Sequence, residues 1–299
     1  MDIIRFMGGL GNQMFQYAFA EALRARGRRV RCNRGYYKKP GHSGEYSLSS
    51  VFKNVFLDEI GDEQFDFIER KWENMKGKSG PNAFLRHESD CFFWIEDAEE
   101  EGRYTPSVFD TDECTFVGFW QTYKYFYDIR NGMRDVFAFK EDTGDLKRFR
   151  ALLGNGANYV SIHVRRGDYL KCADIFGNIC TENYYDSAIN FFIKQQRTPV
   201  FVFFSDDIEW VKQTMMVKDA IYVSREDFSD YQSWYDMYFM TLCQSNIIAN
   251  STYSWWGAWL NRNSNKTVVA PSKWSNTRAM PDICPPEWIR IRLLGVERK

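Results

Sequence analysis

The chain has 299 residues, enough for two domains of ordinary size or one large one. Apolar residues make up 44% and charged residues 26%, which supports a packed core and excludes wholesale disorder. Thirty-nine basic residues against forty acidic ones leave a net charge of −1, which argues against a nucleic-acid binder while leaving a local cationic site open.

In chain order, residues 2–7 (DIIRFM) read as a short strand that runs into the glycine turn Gly8-Gly9-Leu10-Gly11. A helix is predicted over residues 12–26. Phe15, Phe19 and Leu23 recur at i, i+4 and i+8, with Met14, Ala18 and Ala22 as the adjacent row. Gly27 stands where a C-terminal cap belongs, and residues 29–32 read as a second strand. This βα unit opens an α/β domain.

From residue 33 to 150 the pattern is weaker. Lys38-Lys39-Pro40-Gly41 and Gly77-Lys78-Ser79-Gly80-Pro81 read as exposed loops, and the acidic cluster over residues 96–101 as a solvated face. A strand is predicted over 116–119 and a helix over 145–153. Beyond Asn158, strands over 159–164, 200–204, 221–224, 247–249 and 267–270 alternate with helices over 182–196, 208–217, 231–244 and 255–262. Such alternation implies a mostly parallel sheet covered on both faces. The domain junction is placed at Gly154-Asn155-Gly156, giving residues 1–154 and 155–299.

The uncharged run from Met237 to Asn261 is about as long as a membrane span. Gln244, Ser245, Asn246, Asn250, Ser251 and Thr252 in its middle would go unsatisfied in lipid, so it reads as a buried segment of a soluble chain. Seven cysteines with no CxxC pair point to neither a disulfide framework nor a zinc knuckle, and favour a reducing compartment. The three histidines, His42, His87 and His163, make no HExxH, and MDIIRFMGGLGNQ lacks the apolar core of a signal peptide.

In open parallel sheets, ligands bind outside the carboxyl ends of the strands. Three polar clusters follow predicted strands: Arg165-Arg166-Gly167-Asp168-Tyr169, Ser205-Asp206-Asp207, and Asn250-Ser251-Thr252-Tyr253. Arginine forks match phosphate oxygens bidentately, and the competing reading is a structural pair of ion pairs to Asp168 and a neighbouring carboxylate. Small hydroxylated residues at a helix start favour an anion, though Ser251 or Thr252 could equally serve as an ordinary N-cap. Trp255, Trp256 and Trp259 read as core before ligand platform.

The loop Gly9-x-Gly11-x-x-Met14 lacks the third glycine of a dinucleotide fingerprint, and Arg28, Arg29 and Arg31 stand where the ribose-binding acid belongs, which disfavours NAD. No GxxxxGK[ST] is present. Asp110-Thr111-Asp112 spells a DxD of the kind that holds a divalent ion on a diphosphate, but no long apolar strand precedes it.

Met7-Gly8-Gly9-Leu10-Gly11-Asn12-Gln13-Met14-Phe15-Gln16-Tyr17-Ala18 resembles the opening of the bacterial α-1,2-fucosyltransferases of glycosyltransferase family 11. His163-Val164-Arg165-Arg166-Gly167-Asp168-Tyr169 is similar to their HxRRGDY motif. Phe204-Ser205-Asp206-Asp207 and the run from Asn250 to Leu260 resemble two further motifs. The resemblance implies an α/β fold of GT-B type, two Rossmann-like domains facing a cleft. Residues 1–154 would then form the acceptor side, and residues 155–299 would bind the nucleotide sugar.

It further implies inverting transfer of L-fucose from GDP-β-L-fucose to the 2-hydroxyl of a terminal galactose, with no metal and no cofactor. Arg165 would grip the β-phosphate beside Arg166, and His163 and Asn246 would lie near the guanine or ribose. Asp206 would join the donor site, and Ser251, Thr252 and Ser254 the diphosphate. Gly11 and Asn12 would approach the donor from the facing domain. Asp168 and Asp174 are the carboxylates considered as a base, and Asp168 is kept as a catalytic candidate although it could equally orient an arginine. The partners implied are GDP-fucose and a β-galactoside glycan, in the cytoplasm, with peripheral membrane contact through a lipid-linked acceptor left open. A fucosyltransferase of another linkage, or a non-catalytic carbohydrate-binding protein, is the alternative.

Overall fold

The computed structural model describes residues 1–38, 45–75, 84–86, 92–96, 101–111, 113–140, 144–153, 158–195 and 198–291. They form two compact units, Met1–Lys140 with Arg278–Ile283, and Glu141–Thr277 with the segment from Cys284 onward. The division falls at 140/141, not at 154/155. The helix Gly144–Leu153 belongs to the second unit because Phe149 stacks on Phe239 at 3.7 Å and Asp145 accepts from the backbone N–H of Ser229 and Asp230. The predicted junction residues themselves lie outside the described residues.

The first unit is built on β1 (Asp2–Arg5), β2 (Val30–Asn33), β3 (Phe84–Arg86), β4 (Phe92–Ile95) and β5 (Cys114–Val117), in the order β2-β1-β5-β4-β3. Only the β3–β4 pair is antiparallel. All four residues of β1 are buried, as a strand covered on both faces requires. Its charged ends are paired, Asp2 with Arg28 at 2.6 Å and Arg5 with Glu69 at 3.1 Å. The helix Leu10–Arg24 buries Met14, Phe15, Ala18, Phe19, Ala22 and Leu23, the face that the periodicity predicts. It starts two residues early, since the Gly9 carbonyl accepts from the N–H of both Asn12 and Gln13. Gly27 ends it in the left-handed region, at φ 81°.

The acidic cluster is not a solvated face at its described ends, 96 and 101. Glu101 is 7% exposed and paired with Arg278, while Glu96 Oε2 accepts from the backbone N–H of Phe119 and Trp120. Residues 97–100 lie outside the described residues, as do 39–41 and 77–81 of the two predicted loops.

The second unit carries β6 (Asn158–Val164), β7 (Pro199–Ser205), β8 (Ile221–Tyr222), β9 (Ser245–Ile247), β10 (Val268–Pro271) and β11 (Ile289–Ile291). All pairs are parallel, and the order β8-β7-β6-β9-β10-β11 is that of a Rossmann sheet. Val160, Ile162 and Val164 pack on Tyr184, Tyr185, Ala188 and Phe192 of the helix Glu182–Gln195, which leaves Ser161 and His163 on the opposite face.

Strand β9 lies two residues before its predicted place. The helix predicted over 255–262 spans Thr252–Leu260, and that over 231–244 only Tyr235–Leu242. Trp255 and Trp256 are fully buried and pack with Trp259 and Trp288, so they are core. Among the described residues no helix is long and apolar enough to cross a membrane.

Candidate functional site

The strand order of the second unit reverses between β6 and β9, where a sheet of this kind opens its ligand crevice. The loops leaving these strands are tied together, because Tyr169 Oη donates to the Asn250 carbonyl at 2.8 Å. Asn250 Nδ2 in turn donates to the Trp274 carbonyl at 3.0 Å. From the end of β7, Asp206 Oδ1 accepts from the Arg166 N–H at 2.9 Å and Oδ2 lies 3.1 Å from Arg165 Nη1. The three predicted clusters thus meet at one edge of one sheet. Beside them opens a cavity of about 430 Å³ whose lining includes Val164, Arg165, Arg166, Tyr169, Trp210 and Asn250.

The two arginines are not a bare cationic pair. Arg165 Nε donates to Asp168 Oδ1 at 2.9 Å, and its Nη2 lies 2.7 Å from the same oxygen. Arg166 Nε donates to Asp207 Oδ2 at 3.0 Å, and its guanidinium lies 3.6 Å over the Trp210 ring. Two guanidinium groups therefore stand among three carboxylates, as the competing ion-pair reading expects, and both line the cavity. Arg166 is anchored at Nε by Asp207 and stacked on Trp210, and it lines the same cavity as Arg165. Arg165 keeps 34% of its side chain exposed, and each Nη carries two N–H donors beside the carboxylates it faces. Asp207 also caps the helix Ile208–Thr214, its Oδ1 accepting from Trp210 N–H. Asp174 is exposed on the short helix Ala173–Phe176.

His163 is 4% exposed, and its ring lies 5.5 Å from that of Tyr253. Burial, with the charge of Arg165 behind it, lowers its pKa to about 3, so the ring is neutral at ordinary pH. Its Nδ1 is buried with no hydrogen-bond partner among the described residues. Ser251 stands at the start of the helix Thr252–Leu260 without a side-chain cap bond, and Thr252 is half-buried in its first turn.

Two expected ligand contacts are placed elsewhere. Asn246 is fully buried. Its Nδ2 donates to Ser161 Oγ and the Met240 carbonyl, and its Oδ1 accepts from Asn261 Nδ2. The Ser254 hydroxyl is likewise buried and turns back on the Ala249 and Ser251 carbonyls. Both are internal braces of β9 and the following helix, because their polar atoms are satisfied within the fold.

Gly11 and Asn12 belong to the first unit, at the carboxyl end of β1. Gly8 has φ 79°, and a Cβ there would lie 2.5 Å from Asn12 Nδ2. Gln13 and Gln16 are fully buried on the same helix. Gln13 Nε2 donates to the carbonyls of Gly8 and Glu45; Gln16 Nε2 donates to the Gly118 carbonyl and its Oε1 accepts from Met7 N–H. Sequence reasoning missed Trp210, which lines the cavity under the Arg166 guanidinium.

Asp110 is exposed at the end of a 3-10 turn, and Asp112 lies outside the described residues. Among the described residues no group of three or more His, Cys, Asp or Glu side chains could hold a metal ion.

Residues 111–292 match the family described as Glycosyl transferase family 11. The chain is 32% identical over 304 residues to an α-1,2-colitosyltransferase of Escherichia coli, covering 97% of this chain and 98% of that one. It is 27% identical over 152 residues to galactoside α-(1,2)-fucosyltransferase 1 of Saimiri boliviensis boliviensis, covering 48% of this chain and 42% of that one. Among solved structures, the fucosyltransferase NodZ from Bradyrhizobium is similar over 86% of this chain and 91% of its own, with a TM-score of 0.49 and 16% identity. The protein is a glycosyltransferase. It belongs to glycosyltransferase family 11.

Proposed function

We propose that this glycosyltransferase moves L-fucose from GDP-β-L-fucose to the 2-hydroxyl of a terminal galactose in a β-galactoside glycan, with inversion and without a metal ion. The near end-to-end alignment with an α-1,2-colitosyltransferase carries the reading. The shorter match to a galactoside α-(1,2)-fucosyltransferase supports the acceptor. In this reading the second unit holds the nucleotide sugar at the β6/β9 edge, and the first unit serves the acceptor. A lipid-linked acceptor would bring the enzyme to a membrane surface.

Glycosyl transfer of this kind passes through an oxocarbenium-like sugar while negative charge grows on the departing diphosphate. Stabilising that charge is the main demand. Arg165 supplies it through the N–H donors on Nη1 and Nη2, aimed by Asp168 and Asp206. The start of the helix Thr252–Leu260, through its dipole, adds a second source of positive potential. Neutral His163 borders the nucleotide. Asp168 acts first as the group that orients Arg165, and service as base requires it to release that arginine. Gly11 and Asn12 contribute from the glycine loop.

The test is a panel of sugar nucleotides against β-galactosides in EDTA, with the product linkage read by NMR. An α-1,2-fucoside formed in EDTA, and lost by about 10²–10³ in rate in Arg165→Ala, supports the reading. Turnover abolished by EDTA overturns the arginine account, and no transfer from GDP-fucose overturns the donor. The printed name of the full-length relative favours one second reading, a colitosyl donor. The kcat/KM ratio for GDP-fucose over GDP-colitose decides between them.

A further inference from the structure

At the carboxyl edge of the first unit's sheet sits a buried amide with one evident task. Gln121 is 5% exposed, and among the described residues its hydrogen bond is the one from Nε2 to Asn12 Oδ1, at 3.0 Å. Burying an amide is unfavourable unless its bonds are made, so the partner it fixes is the reason to look for. We infer that Gln121 is the positioning residue for Asn12, holding Oδ1 inward and turning Nδ2 to the Gly8 side of the loop.

An asparagine amide presents an acceptor on one side and donors on the other, and half a turn about χ2 exchanges them. A donor at Oδ1 selects one of the two orientations. The Gly8 side is where Nδ2 then stands, close enough that any Cβ on residue 8 would displace it.

Gln121 is itself held in place by its turn. Glu96 Oε2 accepts from Phe119 N–H at 2.6 Å and from Trp120 N–H at 3.0 Å. Trp120 takes a left-handed φ of 56° and stacks on Phe19 at 4.4 Å. Thr122 N–H closes the turn on the Trp120 carbonyl at 2.8 Å. Gln16, one helical turn beyond Asn12, donates to the Gly118 carbonyl in the same turn. Residues 118–122 and the glycine loop are thereby locked in register, and the Gln121–Asn12 bond is the part of that lock that ends on a site residue.

This inference rests on the assignment of Asn12 to the transfer reaction. The experiment measures kcat, donor KM, GDP affinity and thermal unfolding for Asn12→Ala, Gln121→Met, Gln121→Glu and the Asn12→Ala/Gln121→Met pair. Gln121→Met removes the donor at similar size and should lower kcat about fivefold to tenfold, the worth of one hydrogen bond. Gln121→Glu offers an acceptor, which draws Nδ2 inward and reverses the amide, so its kcat should fall to that of Asn12→Ala. GDP affinity should hold in both, and the pair should be no slower than Asn12→Ala alone. Should Asn12→Ala leave kcat unchanged, the role of Asn12 is wrong and the inference falls with it. Should Asn12→Ala slow turnover while the losses multiply in the pair, Asn12 keeps its role and Gln121 does not act through it. If Gln121→Glu fails to fold, Gln121→Met and the pair still decide.

Discussion

Gly167 sits in the arginine motif against Asp206, and a single methyl group there tests the whole network. A Cβ on residue 167 would lie 2.5 Å from Asp206 Oδ2 and 3.3 Å from its Cγ, so in Gly167→Ala the carboxylate must move. Moving it breaks the Arg166 N–H bond to Oδ1 at 2.9 Å and the Oδ2–Arg165 Nη1 pair at 3.1 Å. A hydrogen bond to a charged group is worth about 1.5–3 kcal/mol. The ion pair, with a third of the Arg165 side chain exposed, adds about 0–1 kcal/mol after solvent screening. The expected loss is about 1.5–4 kcal/mol of stability, with weaker GDP binding because Arg165 loses one of its two orienting carboxylates. Urea unfolding and calorimetric titration with GDP measure the two effects. In an Asp206→Ala background the same substitution should cost under about 0.5 kcal/mol, since the clash partner is gone. Equal losses in both backgrounds, or none in the native one, would refute the reasoning.

Asn246→Ala should destabilise by about 2–4 kcal/mol, since Ser161 Oγ, the Met240 carbonyl and one of the two Asn261 Nδ2 hydrogens lose their partner, while GDP affinity stays level. Lost affinity with intact stability would return Asn246 to the ligand. His163 is held near pKa 3 when folded and titrates near 6.5 when unfolded. Its contribution to stability is therefore full above about pH 6.5 and falls away toward pH 3, over a span of about 4–5 kcal/mol at most. Acid unfolding of His163→Asn should show a shallower slope, and an unchanged slope sinks the assignment. Glu96 runs the other way, because burial raises its pKa from 4.5 to about 8. Its contribution is full below about pH 4.5 and is lost as pH rises through 8, so Glu96→Gln should gain on the wild type in melting temperature between pH 5 and 9. A constant difference across that range would count against it.

Local pattern carried a good deal of this. Alternation of apolar runs after Asn158 placed most strands of the second sheet, and the rule about strand ends picked out Arg165, Asp206 and Ser251 before any coordinates. What it could not do was separate polar residues that face a ligand from those spent inside the fold. Asn246 and Ser251 sit in one uncharged run and look alike as letters. The first is used up by Ser161, 85 residues away, and by Asn261, while the second stands at a helix start. The arginine motif hid its partners in the same way, since Asp207, which takes Arg166, comes from the next strand end. Short β11 and the return of 278–283 to the first unit left no periodic signal to read.

Local sequence pattern is enough for the secondary elements with strong periodicity, the parallel α/β class and the residues at the sheet edges, because these depend on neighbours a few positions apart. Tertiary structure alone decided which charges are paired, which amides are braces and where the chain divides. Those outcomes depend on groups far apart along the chain competing for the same buried bonds, and one such bond, from Gln121 to Asn12, spans 109 positions.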